Sequence, residues 1–198
     1  SAFVLSQMSY LEALELAYFG SSVLHPLVIP IVKRMGIPLF IKNSFEIAQS
    51  GTLIGASDNS LALPVKGLTS IDRVALVNIE GAGMIGVSGI AARVFTALMQ
   101  CEISVIFMSQ ASSEYSISLA VKPSDGQAAC DALSEVFAVE LKNRHIERLS
   151  CLDDVAMIAV IGDGMVGRVG VSATLFSALA HAGINVRAIA QGSSERNL

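Results

Sequence analysis

The chain repeats itself. Shifted by 81 positions, residues 81–114 lie on residues 162–195 without a gap, and 15 of the 34 pairs are identical. Chance at ordinary composition gives about 2. Gly81, Gly83, Met84 and Gly86 fall on Gly162, Gly164, Met165 and Gly167. Phe95, Ala97 and Leu98 fall on Phe176, Ala178 and Leu179, and Gln110, Ser112, Ser113 and Glu114 on Gln191, Ser193, Ser194 and Glu195. A fold for this chain has to use one supersecondary unit twice.

The first copy has a readable shape. Val74 to Ile79 is a short β-branched apolar run, hence a strand, followed by a glycine-rich turn. Ile90, Val94 and Leu98, with Ala91 and Phe95, mark one apolar face at helical spacing. Ile103 to Met108 reads as a buried strand and Ser112-Ser113-Glu114 as a turn. Tyr115, Ile117, Leu119 and Val121 alternate with small residues, the pattern of a half-buried strand. Pro123-Ser124-Asp125 starts a helix whose stripe is Ala129, Leu133, Val136 and Phe137. Ile146 to Leu149 closes the unit. Strand, helix, strand, strand, helix, strand is the split βαβ, ferredoxin-like plan, an α+β class. The second copy follows through Val155 to Ile161, Val171 to Ala182 and a strand at Asn185 to Gln191. The chain then ends at Leu198, and the counterparts of Tyr115 to Val121, of the second helix and of the last strand are absent. The extended stretch Leu63-Pro-Val-Lys-Gly67 is a candidate to make up part of that deficit.

Residues 1–60 have another character. Ser9-Tyr-Leu-Glu12 is a capping box, Leu11, Leu14 and Tyr18 give the buried face of its helix, and Gly20 ends it. Pro38 to Lys42 reads as a strand, and Ser57 to Ser60 as a polar connector. Tyr10, Glu12, Glu15 and His25 read as a solvated helix face with one turn histidine, since such residues are mostly exposed. No catalytic constellation stands out.

Composition narrows the class. The 198 residues are 53% hydrophobic and 15% charged, with a formal net charge of -4. A dense core is expected and disorder is not. No basic patch speaks for nucleic acid, and no apolar run reaches the roughly 18 residues of a membrane span. Cys101, Cys130 and Cys151 have no CxxC spacing and read as small buried thiols in a reducing, cytoplasmic setting. Ser1 opens directly into apolar sequence with no signal peptide, so the chain reads as an excised fragment.

Gly81-x-Gly83-x-x-Gly86 matches the dinucleotide fingerprint between a strand and a helix. Three facts oppose that reading. The acid expected about 20 residues on is absent, the pattern recurs 81 residues later, and the chain after Gln110 returns through a short turn. The glycines either let a ligand carboxylate reach free N–H groups at a helix start, or pack strand tightly against helix. Gln110 and Gln191 each end an apolar strand at the same repeat position. An amide both donates and accepts, so each glutamine either reads a polar ligand or satisfies a nearby backbone group.

At these residues the chain resembles the regulatory region of aspartate kinases, of the kind fused to homoserine dehydrogenase in the threonine pathway. The resemblance is carried by Tyr18 to Pro26, Ile41-Lys-Asn43, Gly51 to Gly55, Leu63 to Gly67, Ser109 to Ser116 and Ala188 to Arg196, and covers nearly the whole chain. It implies that residues 1–60 are the C-terminal segment of an amino-acid-kinase domain. It implies two amino-acid-binding ACT units: residues 69–150, inserted into a second unit of 61–68 and 151–198. Effector-binding positions carried over are Met84, Gly86, Val87, Ser88, Gly89 and Ala91 on the loop, with Ser104 and Gln110 on the strand. In the second copy they are Met165, Gly167, Arg168, Val169, Asn185 and Gln191. The resemblance further implies feedback inhibition of aspartate phosphorylation and homo-oligomers through the ACT units. The family's lysine-glycine-glycine nucleotide motif is missing, so these residues are not expected to phosphorylate aspartate. ATP with magnesium and NAD(P) belong to catalytic parts outside them, and no cofactor or metal is expected here. Lysine-inhibited relatives carry an aspartate where this chain has Ile106. A bound lysine would lack its counterion, and an unpaired buried charge is costly, so L-threonine is the expected effector. The alternatives are a lysine-responsive sensor or a dimerisation module without effector.

Overall fold

The computed structural model describes residues 4–20, 23–56, 63–111, 114–192 and 194–198. The connector Ser57 to Ser60, and Ser112 and Ser113 of the expected turn, lie outside the described residues. The chain divides into two compact units, one of residues 1–71, 158–187 and 191–198, the other of 72–157 and 188–190.

The second of these units holds the first repeat. Strand β4 (Gly67–Glu80) leads into it, followed by α3 (Ile90–Gln100), β5 (Val105–Gln110), β6 (Ser116–Val121), α4 (Gly126–Val136), α5 (Ala138–Lys142) and β7 (Arg148–Ile161). The sheet order is β5-β6-β4-β7. That is the ferredoxin-like order, with β6 antiparallel to both β4 and β5. The alternation read from the sequence decides which residues face the helices. Ala75, Val77 and Ile79 of β4 and Ile117, Leu119 and Val121 of β6 share one core with Val94 and Leu98 of α3 and Leu133 of α4. Each fully buried Leu, Ile or Phe there contributes about 1.5–3 kcal/mol. Gly126 is the point of closest approach of α4, because a Cβ added there would stand 2.6 Å from the Ala75 Cβ. Ile106 coincides with a register shift between Val105 and Phe107, an extra residue of the kind that bends an edge strand.

The other unit begins with β1 (Gln7–Ser9), α1 (Tyr10–Tyr18), α2 (Val28–Met35), β2 (Leu39–Ile41) and β3 (Thr52–Gly55). Strand β3 pairs in parallel with β1 and antiparallel with β2. Met8, Tyr10, Ala13, Ala17, Ile29 and Ile54 form its core. The capping box is made: Ser9 Oγ accepts from the Glu12 N–H at 3.1 Å, and Glu12 Oε2 accepts from the Ser9 N–H at 2.8 Å. The solvated-face reading fails for two of its residues. Tyr10 is 4% exposed and donates its hydroxyl to the Ile37 carbonyl, and Glu12 is 1% exposed. The box turns Glu12 back along the helix start into the packed interior, which a statistical preference for exposure does not anticipate.

The second repeat contributes the end of β7, a short 3₁₀ turn at Asp163–Met165 and α6 (Val171–His181) to this unit. The expected strand at Asn185–Gln191 does not form. In the first copy β5 is held by β6, and no described segment gives residues 185–191 such a ladder. The extended stretch upstream does find a place. A Cβ on Gly81 would meet the His145 carbonyl oxygen, Ile146 Cα and Glu147 N, and a Cβ on Gly162 would meet the Pro64 carbonyl oxygen, Val65 Cα and Lys66 N. Glu147 N donates to the Glu80 carbonyl and Lys66 N to the Ile161 carbonyl, each at 2.8 Å. Pro64–Lys66 therefore stands to the second glycine turn as His145–Glu147 stands to the first.

Among the described residues no helix is long and apolar enough to cross a membrane.

Candidate functional site

Each glycine loop is shaped by its backbone. Gly86 and Gly167 have φ of 72° and 66°, and Gly89 and Gly170, which precede α3 and α6, have φ of 89° and 95°. These are left-handed values that a Cβ resists. The loop thus ends in a helix start whose N-cap has no side chain to satisfy the first N–H groups.

A donor earlier in the loop is taken by a side chain, and in the same way in both copies. Gly86 N–H donates to Glu114 Oε2 at 2.9 Å, and Gly167 N–H donates to Glu195 Oε2 at 2.7 Å. In each loop one N–H group is given to a carboxylate, and that carboxylate is the chain's own. Sequence reading aligned Glu114 with Glu195 but gave neither a place in the site. Their identity in both copies, 28 residues after the paired glycine, was the available signal.

In the second copy, Met165, Gly167, Arg168, Val169 and Gln191 line one open cavity of about 320 Å³, together with Val171, Ser172 and Glu195. Five of the six positions carried over for this copy meet there. Asn185 does not line it. Met165 is buried at the floor, whereas Val169 is 97% exposed at the rim. The lining holds one cation, one carboxylate, one amide and one hydroxyl, which is the inventory a zwitterion with a polar side chain can use.

In the first copy, Met84 is buried beneath the loop, Val87, Ser88 and Gly89 are exposed, and Ala91 is half-buried on α3. Ser104 lies in an open groove of about 600 Å³ with Phe95, Thr96, Met99 and Val105, a lining that does not include the loop residues or Gln110. Neither the Gln110 nor the Gln191 side chain has a hydrogen bond among the described residues, and both residues are exposed. The reading in which each glutamine satisfies a nearby backbone group is not what the structure shows.

Other polar groups stiffen the surroundings. Arg196 Nε pairs with Asp163 Oδ1 at 2.7 Å in the second copy. At the same repeat position Tyr115 donates its hydroxyl to Glu147 Oε2 at 3.0 Å, and the Glu147 carboxylate pushes the Tyr115 pKa upward. The cysteines stand apart from both loops. Cys101 is exposed, not buried as expected, because it caps the C-terminus of α3 beyond its packed face. Cys130 is buried on α4, and burial, then the Asp153 carboxylate, pushes the Cys151 thiol up to about 12. Among the described residues no cluster of His, Cys, Asp and Glu has the makings of a metal site.

A ferredoxin-like unit with a glycine loop between first strand and first helix, followed by a second copy of that strand end, loop and helix, is the architecture of a regulatory module. The ACT domain family matches residues 77–137 and 158–198, and the chain belongs to that family, in the form found in aspartate kinases. It is 44% identical over 98% of its length to a bifunctional aspartokinase/homoserine dehydrogenase of Haemophilus influenzae, of which it spans 24%. An aspartate kinase of Clostridium acetobutylicum superposes with a TM-score of 0.83 at 29% identity, over 98% of this chain and 44% of that one. Escherichia coli aspartokinase III, in complex with lysine and aspartate, superposes with a TM-score of 0.73 at 26% identity, over 98% of this chain and 41% of that one. The chain spans about a quarter of the length of the bifunctional relatives it matches.

Proposed function

We propose that this chain is the effector-sensing region of an aspartate kinase fused to homoserine dehydrogenase, and that its effector is L-threonine. In such a parent enzyme ATP with magnesium and NAD(P) serve the catalytic parts, and these residues read an amino acid. The observation that carries the reading is the second-copy cavity, which the loop residues Gly167, Arg168 and Val169 line together with Ser172 and Gln191. The effector carboxylate takes the loop donors, and the glutamine amide takes its hydroxyl.

Lysine is the second reading, since aspartokinase III is known in complex with it. Its ammonium needs a counterion. Ile106 offers none in the first copy, and its counterpart in the repeat alignment is Arg187, a cation. The reading without effector draws on the exposed Phe95 and Met99 beside the first-copy groove, an apolar surface suited to a second copy of the chain.

Calorimetric titration with L-threonine and L-lysine tests all three. Saturable heat with threonine alone, weakened about tenfold by Gln110→Ala or Gln191→Ala, is expected, since an amide hydrogen bond left unmade costs about 1–3 kcal/mol. Heat with lysine alone shifts the assignment to lysine. A folded dimer that gives no heat with either leaves the dimerisation reading.

A further inference from the structure

The Glu12 carboxylate is tied to two elements at once. Oε2 accepts from the Ser9 N–H at 2.8 Å, and Oε1 accepts from the Asp163 N–H at 2.7 Å. Asp163 opens the loop that lines the second-copy cavity. In the first copy the same position is Ala82, and its N–H donates to Glu147 of that copy's own closing segment at 3.3 Å. The second copy's closing segment has Lys66 at the place of Glu147, by the matching 2.8 Å bonds of Lys66 N to Ile161 and Glu147 N to Glu80. Lysine has no acceptor, and α1 supplies one instead.

A second tie runs from the next turn of the same helix. Glu15 Oε2 accepts from Asn197 Nδ2 at 2.8 Å, and Asn197 Oδ1 accepts from the Gly192 N–H at 2.9 Å, beside Gln191. Both walls of the second-copy cavity, the loop and the segment bearing Gln191, are thus bonded to α1. Glu12 is 1% exposed, so it has no solvent to turn to. A shift of Asp163 either carries Glu12 with it or strands a buried carboxylate, and the second course is costly.

We propose that Glu12 is a positioning residue for the second-copy loop, and that through it and Glu15 occupancy of the second repeat reaches the N-terminal segment. The transmission half rests on the effector reading; the positioning half does not.

Amide hydrogen exchange on the full chain tests each half. Without effector, Glu12→Gln leaves one of the two N–H groups facing an amide NH₂. It speeds exchange of residues 163–169 by about tenfold and leaves 82–88 unchanged, while Glu147→Gln speeds 82–88 and leaves 163–169 unchanged. Glu12→Asp keeps the charge but draws it back by one methylene, and gives the Glu12→Gln result with the α1 cap intact. Unchanged exchange at 163–169 in both folded Glu12 variants overturns the positioning. With L-threonine at a concentration that fills the wild-type second-copy site but not one weakened tenfold, exchange in Tyr10–Tyr18 slows in the wild type and in Gln110→Ala, but not in Gln191→Ala or Glu12→Gln. Calorimetric heat with an indifferent α1 in the wild type overturns the transmission and leaves the sensor reading standing. Absence of heat overturns the sensor reading and transmission together, and the effector-free arm still decides the positioning.

Discussion

Glu195 holds its carboxylate on the Gly167 N–H, and 81 residues earlier Glu114 stands in the same relation to Gly86. Both glutamates adopt left-handed backbone, with φ of 56° and 57°, a conformation costing an L-residue about 1–2 kcal/mol. The same strained residue aims the same group at the same donor in both copies. An effector carboxylate arriving at either loop contends with a carboxylate already there.

Glu195→Gln is therefore expected to tighten threonine binding at the second copy by about fivefold to tenfold, because a neutral acceptor yields its N–H more readily than a charged one. Calorimetry in a Gln110→Ala background isolates that site. A weaker complex would show instead that Glu195 holds the effector ammonium.

Gly162→Ala and Gly81→Ala are expected to open the closing segments. The new Cβ would lie 2.1 Å from the Pro64 carbonyl oxygen in one case and 2.3 Å from the His145 carbonyl oxygen in the other. Backbone cannot rotate aside as a side chain does, and overpacking of this kind costs about 3 kcal/mol. Urea unfolding followed by circular dichroism measures it; a loss below about 0.5 kcal/mol, the level of a neutral surface change, contradicts the packing described.

Arg93 joins α3 to the α4–α5 segment through an ion pair with Glu140, a 2.7 Å bond to the Val136 carbonyl and a guanidinium 4.4 Å from the Phe137 ring centroid. Arg93→Ala is expected to cost about 1–2 kcal/mol. The hydrogen bond from Arg93 holds the Glu140 carboxyl below the usual carboxylate range. A lowered folded-state pKa stabilises the fold above the unfolded value and ceases to do so as pH falls through the folded one. The stability gap between wild type and Glu140→Gln should then close as pH is lowered below about 4. A gap that stays constant to acid pH would show that the charge contributes nothing.

Thiol alkylation near pH 8 should modify Cys101 first, since thiolate fraction and exposure set the rate. Cys130 is buried with its pKa raised by burial, and Cys151 stands at about 12. Peptide mass mapping over time reads the order. Faster labelling of Cys151 than of Cys101 would contradict the burial of the α4–β7 contact.

Legibility followed locality. The repeat, the alternation of β6, the apolar stripes of α3 and α4 and the capping box at Ser9 were readable, because each depends on residues a few positions apart. Met165, Gly167, Arg168, Val169 and Gln191 came from the family resemblance rather than from local pattern, and the fold brings them to one cavity. The strand expected at Asn185–Gln191 was not a local matter: apolar sequence forms a strand only where another segment completes its ladder. Glu12 shows the same division. Its spacing from Ser9 identified a helix cap. That its second oxygen would take the Asp163 N–H, 151 residues away, followed only from the packing that brings the two together. Likewise the extended stretch Leu63–Gly67 was readable as a candidate to complete the second copy, but not as its closing segment against a particular turn. The glycine turn at Gly162 makes it one, because two backbones approach there more closely than any side chain allows.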